Sequence, residues 1–511
     1  MNLLKNKKMK RLIFIGLLSV LLVTGAHGQQ ILTLEKAFDF AETGSPDLQQ
    51  SLLNLERYQK SLEAQRAALK SRFSLELAPV NYDQSRRFDN RFSDWYTSET
   101  FESSALFRVV QPILPTDGTI SLTNEFGWQS SNSSFDDMEN PSLESGNERF
   151  FNRLYLNFNQ PLFTYNRLKL ELKELELNFE NANIGYALQR LNLERNVTQY
   201  FYNVYMAQMN LNIAKDELGN TQTSYNIIKN KVDAGLAARE ELYQAELNLA
   251  TSKSTLQDRL VALENAKDQL KLYLGMDLSE NFTVMANVNA NPVPVELETA
   301  IDNGLESRME LRQREIDIEA GQFELIRTRA QNEFRGDVNL RLGITGDDPQ
   351  LNQIFDAPTS SPSVSVSFNI PLFDWGEKEA RIAAQEAAVK SQELNLSEEK
   401  RQIIVGIRQT FRNIQNLLNQ IEIAKQSETN AQLTYEINLE RYKNGDLTSM
   451  DLNLFQTQLS ERKIAYAQAL INYRIELLNL KIQSLYDFEQ GERVLPSELY
   501  LNSKNKNDIN R

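Results

Sequence analysis

SVSVSFNIPLFDWGEK, residues 363–378, changes its pattern in the middle. Val364, Val366, Phe368 and Ile370 alternate with Ser363, Ser365, Ser367 and Asn369, which gives a strand with one dry face and one wet face. Pro371-Leu372-Phe373 ends the alternation. From Lys378 to Tyr442 there is then no proline and a single glycine, so a strand hands over to a long helix. A near copy, RLYLNFNQPLFTYNRL, occupies residues 153–168 and leads into the same kind of segment. The proline lacks a ladder donor and ends strand pairing. Pro161, Leu162, Phe163, Pro371, Leu372 and Phe373 are therefore candidate junction residues. A proline at a helix start is the plainer reading of each copy alone.

The copy is part of a duplication. At an offset of 210 residues, Phe158, Asn159 and Pro161 to Phe163 fall on Phe368, Asn369 and Pro371 to Phe373. In the same register Phe201, Tyr225, Gly235, Leu242 and Leu249 fall on Phe411, Tyr435, Gly445, Leu452 and Leu459. The starts of the halves pair at an offset of 263: Leu34, Ala37, Leu48 and Gln50 with Leu297, Ala300, Leu311 and Gln313. The offsets differ by 53 residues, so the first half carries that much extra chain between Arg72 and Pro161.

The first repeat is expected over residues 29–294: a helix, strands within 73–163, a long helix over 166–233, a tip at Gly235 and a return helix to about 274. The second is expected over 295–490: a helix over 296–335, strands within 337–371, a long helix over 376–443, a tip at Gly445 and a return helix to about 488. Residues 491–511 form a polar tail. Apolar residues recur at Leu193, Val197, Phe201, Val204 and Leu211, and at Ile403, Ile407, Phe411, Ile414 and Ile421, as on one seam of a coiled coil. About 65 residues at 1.5 Å each make a rod of about 100 Å. An ordinary coiled coil would show the same seam.

DVNLRLGI, FSLELA and RLYLNFN alternate as SVSVSFNI does. A soluble sheet packed on helices, or a membrane barrel with lipid outside and water within, fits this pattern. Trp95, Trp128 and Trp375 all lie in or beside these strands, where an interfacial aromatic belt would place them. Two further strand-like pieces, LFRVVQP from Leu106 and TISLTNEFGWQ from Thr119, flank the turn signal PTDG. They make an extra hairpin or a long loop; four barrel strands per chain are expected.

Lys5, Lys7, Lys8, Lys10 and Arg11 precede an apolar run to Val23 and the small residues Ala26 and Gly28, the plan of a secretory signal peptide over residues 1–28. Its five positive charges leave with it, taking the net charge from −14 to −19. Such acidity argues against nucleic acid as a partner. The 511 residues contain no cysteine, and the one histidine, His27, lies in the signal. No Cys nucleophile, His base, His/Cys metal site or Cys-linked lipid is therefore expected. No catalytic motif or cofactor fingerprint is present, so the reading is not an enzyme and has no cofactor.

Together the signal, the duplication, the PLF junctions and the two glycine tips resemble the TolC-type outer-membrane efflux proteins. The tips are VDAGLAAREELYQAELNLATSK from Val232 and YKNGDLTSMDLNLFQTQLSERK from Tyr442. The resemblance implies a mainly helical fold with a membrane β-barrel part. In it, duplicated long helical hairpins form a periplasmic tunnel, and four strands per chain enter a twelve-stranded barrel shared by a homotrimer. It implies outer-membrane lipid around the barrel, a periplasmic adaptor at the tips, and an inner-membrane pump that expels substrates through the channel unchanged. Adaptor contacts would then be Ala234, Gly235 and Leu236, and Asn444, Gly445, Asp446, Leu447 and Thr448. Asp451, with Glu241 at the equivalent place in the first half, would ring the periplasmic gate. Relatives often carry a second aspartate where this chain has Leu454. Thr448 and Asp451 also read as a helix cap. The alternative function is a soluble periplasmic coiled-coil adaptor or scaffold.

Overall fold

The computed structural model describes residues 30–91, 93–135, 145–286, 291–444 and 446–494. The expected signal peptide, Gly445 and nearly all of the polar tail lie outside these residues. In chain order the elements are β1 (Gln30–Leu32), α1 (Leu34–Gly44), α2 (Pro46–Ala68), β2 (Arg72–Asp89), β3 (Asp94–Ile113), β4 (Gly118–Phe135), β5 (Ser145–Leu162), α3 (Arg167–Asp233) and α4 (Arg239–Leu274). There follow β6 (Phe282–Val284), α5 (Leu297–Ser307), α6 (Met309–Ala330), β7 (Arg335–Asp348), β8 (Thr359–Ser360), β9 (Ser363–Asn369), α7 (Glu377–Asn444), α8 (Ser449–Ser484), β10 (Tyr486–Asp487) and β11 (Glu492–Arg493).

The chain forms two compact units. They do not coincide with the two sequence repeats, because each repeat sends strands to one unit and tip helices to the other. Of the described residues, the first unit holds those within 30–53, 184–311 and 399–494, and the second those within 54–183 and 312–398.

In the first unit the seam residues Leu193, Val197, Phe201, Val204 and Leu211 are buried, as are Ile403, Ile407 and Ile414. Leu470, Ile471, Tyr473, Leu477 and Leu480 of α8 are buried in the same unit. Burying one such aliphatic side chain contributes about 1.5–3 kcal/mol. β1 pairs in parallel with β6 and seals Leu32, Phe282 and Val284. Beside this pair Gly44 and Gly275 meet backbone to backbone. A Cβ on Gly275 would lie 2.0 Å from the Gly44 carbonyl oxygen, and Gly275 caps α4 with φ of 70°. The chain between the repeats is pinned where the Val293 N–H donates to the buried Tyr473 hydroxyl at 2.9 Å.

A single helix expected over 296–335 is instead two. Arg308 is extended, with φ −66° and ψ 124°, and its N–H closes α5 on the Gly304 carbonyl. The first repeat breaks at the equivalent Ser45, whose N–H closes α1 on Ala41. A polar residue in extended backbone thus ends each short helix before the next begins.

The second unit is built on an antiparallel sheet with the order β2-β3-β4-β5-β7, and β8 and β9 both on the far side of β7. Among the described residues this sheet holds six strands of seven residues or more, two beyond the four that the sequence reading assigns to a barrel. The surplus is β3 and β4. PTDG is a tight turn between two strands that pair over their whole lengths, Ile113 opposite Gly118 and Tyr96 opposite Phe135. The extra chain therefore satisfies its backbone groups in the sheet rather than in a loop.

Candidate channel-forming surfaces

Residues directly opposite in a ladder share a face. Starting from Phe73, the register runs Phe73, Val109, Leu122, Leu156, Leu342 across five strands. The row beside it is Leu75, Phe107, Asn124, Leu154, Ile344. Leu340 and Val338 carry the same face onto Val364 and Val366 of β9. Phe73, Leu75, Leu77, Phe107, Leu122, Leu156, Leu342, Val364 and Val366 are all exposed. An apolar face of this width, open to solvent, marks a surface that meets lipid or protein. An internal polar pair on this face is self-satisfied: Asn124 donates to Asn152 at 2.8 Å.

The other face is polar and cross-linked. Arg153 pairs with Glu125 at 3.3 Å, and Arg149 with Asp347 at 3.6 Å. The Arg341 guanidinium lies 3.9 Å from the Tyr155 ring centre. Two glycines on this face are covered by aromatic rings from the neighbouring strand, Gly127 by Phe151 and Gly343 by Tyr155. Phe151 is fully buried there.

At the helix end of the sheet the junction residues differ in role. Pro161 still sits in the ladder, opposite Asp337, while β9 ends two residues before Pro371. Phe163 turns with φ of 61° and packs on Phe334, which stacks on Phe368 at 5.7 Å. Leu372 and Phe373 project into solvent, and Phe373 meets Trp375 edge-on at 4.7 Å. The N-termini of the long helices are capped by carboxylates from just outside them. Leu168 N–H donates to Asp117 at 3.1 Å, and Lys378 N–H to Asp374 at 3.2 Å. Asp117 belongs to the β3–β4 turn, so the extra hairpin is tied to α3. Asn166 strengthens the tie by donating to the Leu114 carbonyl at 2.6 Å and accepting from Lys169 N–H.

In the first unit the tips of both repeats come together. Tyr442 of α7 is buried, with the Lys231 ammonium of α3 5.9 Å from its ring. Gly235 has φ of 72°, and the bonds Leu236 N–H to Lys231 O and Gly235 N–H to Val232 O close α3 in a Schellman turn. Asp446 N–H reaches Arg441 O in the same way. Ala234, Leu236, Asn444, Asp446 and Thr448 are exposed, and Leu447 is half-buried. The Thr448 hydroxyl donates to the Asp451 carboxylate at 2.7 Å and accepts from Asp451 N–H, so Asp451 takes part in the cap of α8. Glu241 stands exposed in the first turn of α4.

One polar cluster was not singled out from the sequence. Lys481 lies between Glu194 at 3.4 Å and Asp487 at 3.1 Å. Burial works against the Lys481 charge, but the two carboxylates outweigh it and hold the ammonium above its ordinary range. Burial likewise opposes the Asp487 charge; Lys481 and the Gln490 and Glu489 N–H groups prevail and hold the carboxyl below its ordinary range. Glu194 is far from the other two in sequence, and the three carry no motif. Among the described residues no helix is long and apolar enough to cross a membrane, and no group of His, Cys, Asp and Glu is placed to hold a metal.

Helices of about 100 Å joined to an antiparallel sheet with one apolar and one polar face define a channel with a helical tunnel and a membrane barrel. The chain matches the family model for outer membrane efflux proteins over residues 119–276 and 300–482, more than half its length, and it belongs to that family. It is 23% identical to the cation efflux system protein CusC of Escherichia coli strain K12 over 284 residues, 54% of this chain and 61% of that protein. The match to the probable outer membrane lipoprotein SilC of Salmonella typhimurium is 21% over 284 residues. These alignments thus span less than two thirds of the curated relatives. Among solved structures the Campylobacter jejuni outer membrane channel CmeC aligns with a TM-score of 0.67 and 16% identity, covering 94% of this chain and 89% of that one. The crystal structure of CusC gives 0.63 and 16%, covering 88% and 91%. At such identities the likeness is one of fold.

Proposed function

We infer that this efflux-family protein is the outer-membrane conduit of a tripartite export system. Three copies close one barrel, and the tips meet a periplasmic adaptor that joins them to an inner-membrane pump. Substrates pass through without chemical change.

The observation that carries this reading is the sheet of the second unit. It has a lipid-compatible face, a hydrated face, and two open edges, β2 and β9. Open edges cannot persist in a bilayer, where no water satisfies their backbone groups, so neighbouring copies must close them. The exposed tips at Gly235 and at 444–448 suit an adaptor, and Asp451 and Glu241 suit a ring of carboxylates at the periplasmic entrance. Arg153 with Glu125 and Arg149 with Asp347 give the hydrated face no single sign. A wall of mixed sign favours neither cations nor anions as cargo.

The test is purification and reconstitution. The mature protein should fractionate with the outer membrane, elute in detergent with the mass of three chains, and conduct in planar bilayers. A monomer soluble without detergent and recovered from the periplasm would overturn the reading in favour of a scaffold.

A further inference from the structure

We propose that the trimer closes an eighteen-stranded barrel, six strands from each copy, and so has an exit far wider than four strands per copy would give. This rests on the trimeric reading above and goes beyond it.

β2 and β7 begin at Arg72 and Arg335, the 263-residue offset of the repeat starts. β5 and β9 lead into Pro161 and Pro371, the 210-residue offset of the later halves. Those four strands are the duplicated set. β3 and β4 have no counterpart, and the 53 extra residues are the length of this hairpin with its connection.

The hairpin is built as barrel wall. A tilted strand needs about 9–11 residues to cross a bilayer. The shared apolar face runs from Phe101 to Val109 on β3 and from Ile120 to Trp128 on β4. It runs from Phe150 to Phe158 on β5, over the same rows of the ladder. Above these rows the same face turns polar on β2 and β3 together, where Gln84 donates to Glu99 at 3.1 Å. A loop folded outside the membrane has no reason to keep this height. β4 is also fitted to β5 on both faces, through Phe151 over Gly127 and through Asn124 bonded to Asn152. At the bottom, Asp117 fixes the hairpin's turn to α3.

Closure is consistent in direction. β2 leaves α2 and runs away from the helices; β9 returns toward α7. The β9 edge of one copy therefore meets the β2 edge of a second copy antiparallel, as an even number of strands per copy requires. With a strand spacing of about 4.8 Å and a tilt of about 40°, twelve strands give a backbone radius of about 12 Å and eighteen about 18 Å. Barrels of 16–18 strands hold an open aqueous channel. The barrel then does not select cargo by size, and that task falls to the helical part.

The experiment is electron cryo-microscopy of the detergent-purified full-length trimer, viewed along its axis, beside a variant lacking residues 92–144. That deletion joins the tops of β2 and β5 and recreates the four-strand plan. Eighteen strands in the full chain, and twelve with a radius about one third smaller in the variant, are expected. A trimer with twelve strands and residues 94–135 outside the wall overturns the proposal while leaving the conduit reading intact. Absence of a trimer overturns both. Should the variant fail to fold, Phe107→Cys and Leu122→Cys in the otherwise cysteine-free chain decide the point. Spin labels there should be several-fold more accessible to oxygen than to a water-soluble nickel chelate, and the reverse would place the hairpin outside the bilayer.

Discussion

Lys481 sits where a helix gives way to the short β10–β11 turn; one acidic partner, Asp487, is its near neighbour in sequence and the other, Glu194, comes from the first repeat. The depressed Asp487 contributes stability above its unfolded value, and loses it as pH falls through the folded one. The raised Lys481 contributes below its unfolded value, and loses it as pH rises through the folded one. The pair therefore acts fully across neutral pH. Asp487→Asn should destabilise the detergent-solubilised protein by about 1–3 kcal/mol at pH 7, because it leaves a half-buried ammonium with one partner. The gap between variant and parent melting curves should narrow as pH falls below the ordinary aspartate range, where Asp487 is protonated in the unfolded chain first and in the folded one later. A gap that stays constant through the acid range would remove the charge from the explanation. Nothing in the sequence announces this cluster. Glu194 and Lys481 are ordinary charges on helix surfaces, and only the fold brings them within reach. The Thr448–Asp451 cap was readable, because its partners are three residues apart and the local helix supplies the geometry.

At the level of elements, the strands and long helices follow from periods that need no tertiary information. Period two gives faces such as Val364, Val366 and Phe368, and one apolar seam gives α3 and α7. How many strands belong to one sheet is different. LFRVVQP and TISLTNEFGWQ alternate well enough to be strands, but alternation is the same in a barrel wall and in an exposed hairpin. Register adds what alternation lacks: it places Phe107 and Leu122 on the face of Leu75 and Leu156. That register carries a prediction. Leu156→Arg puts a charge on the apolar face and should cost about 2–4 kcal/mol near the middle of the bilayer. Asn157→Arg, one residue away on the hydrated face, should be tolerated. Comparing the folded protein recovered after detergent refolding of the two variants checks this, and equal losses would mean the faces are misassigned. The capping of α3 is a second element-scale case. Asp117→Ala should cost about 1 kcal/mol, the usual value of an N-terminal cap, and lower the melting temperature of the purified protein. The sequence hid this contact, since Asp117 and Leu168 are far apart along the chain.

For the whole molecule the decisive question is whether the tips merely end helices or also control entry. Asp451 does the first already, through the Thr448 hydroxyl and through its own N–H at 3.2 Å. A helix cap and a gate ring need different properties of the same side chain, and two variants separate them. Asp451→Asn keeps an oxygen that Thr448 can reach but removes the charge. Thr448→Ala removes the cap and keeps the charge. If three Asp451 carboxylates converge on the entrance, Asp451→Asn should weaken block of the open channel by a trivalent cation by about tenfold, the scale of 1.4 kcal/mol. Thr448→Ala should leave that block intact while lowering stability by about 1 kcal/mol. Glu241→Gln, at the equivalent position of the first repeat, should weaken block further if both repeats line the entrance, as a twofold-repeated subunit in a trimer would give six carboxylates there. Block that is unchanged in Asp451→Asn would assign this residue to the cap alone and move the search for the entrance charge to Glu241.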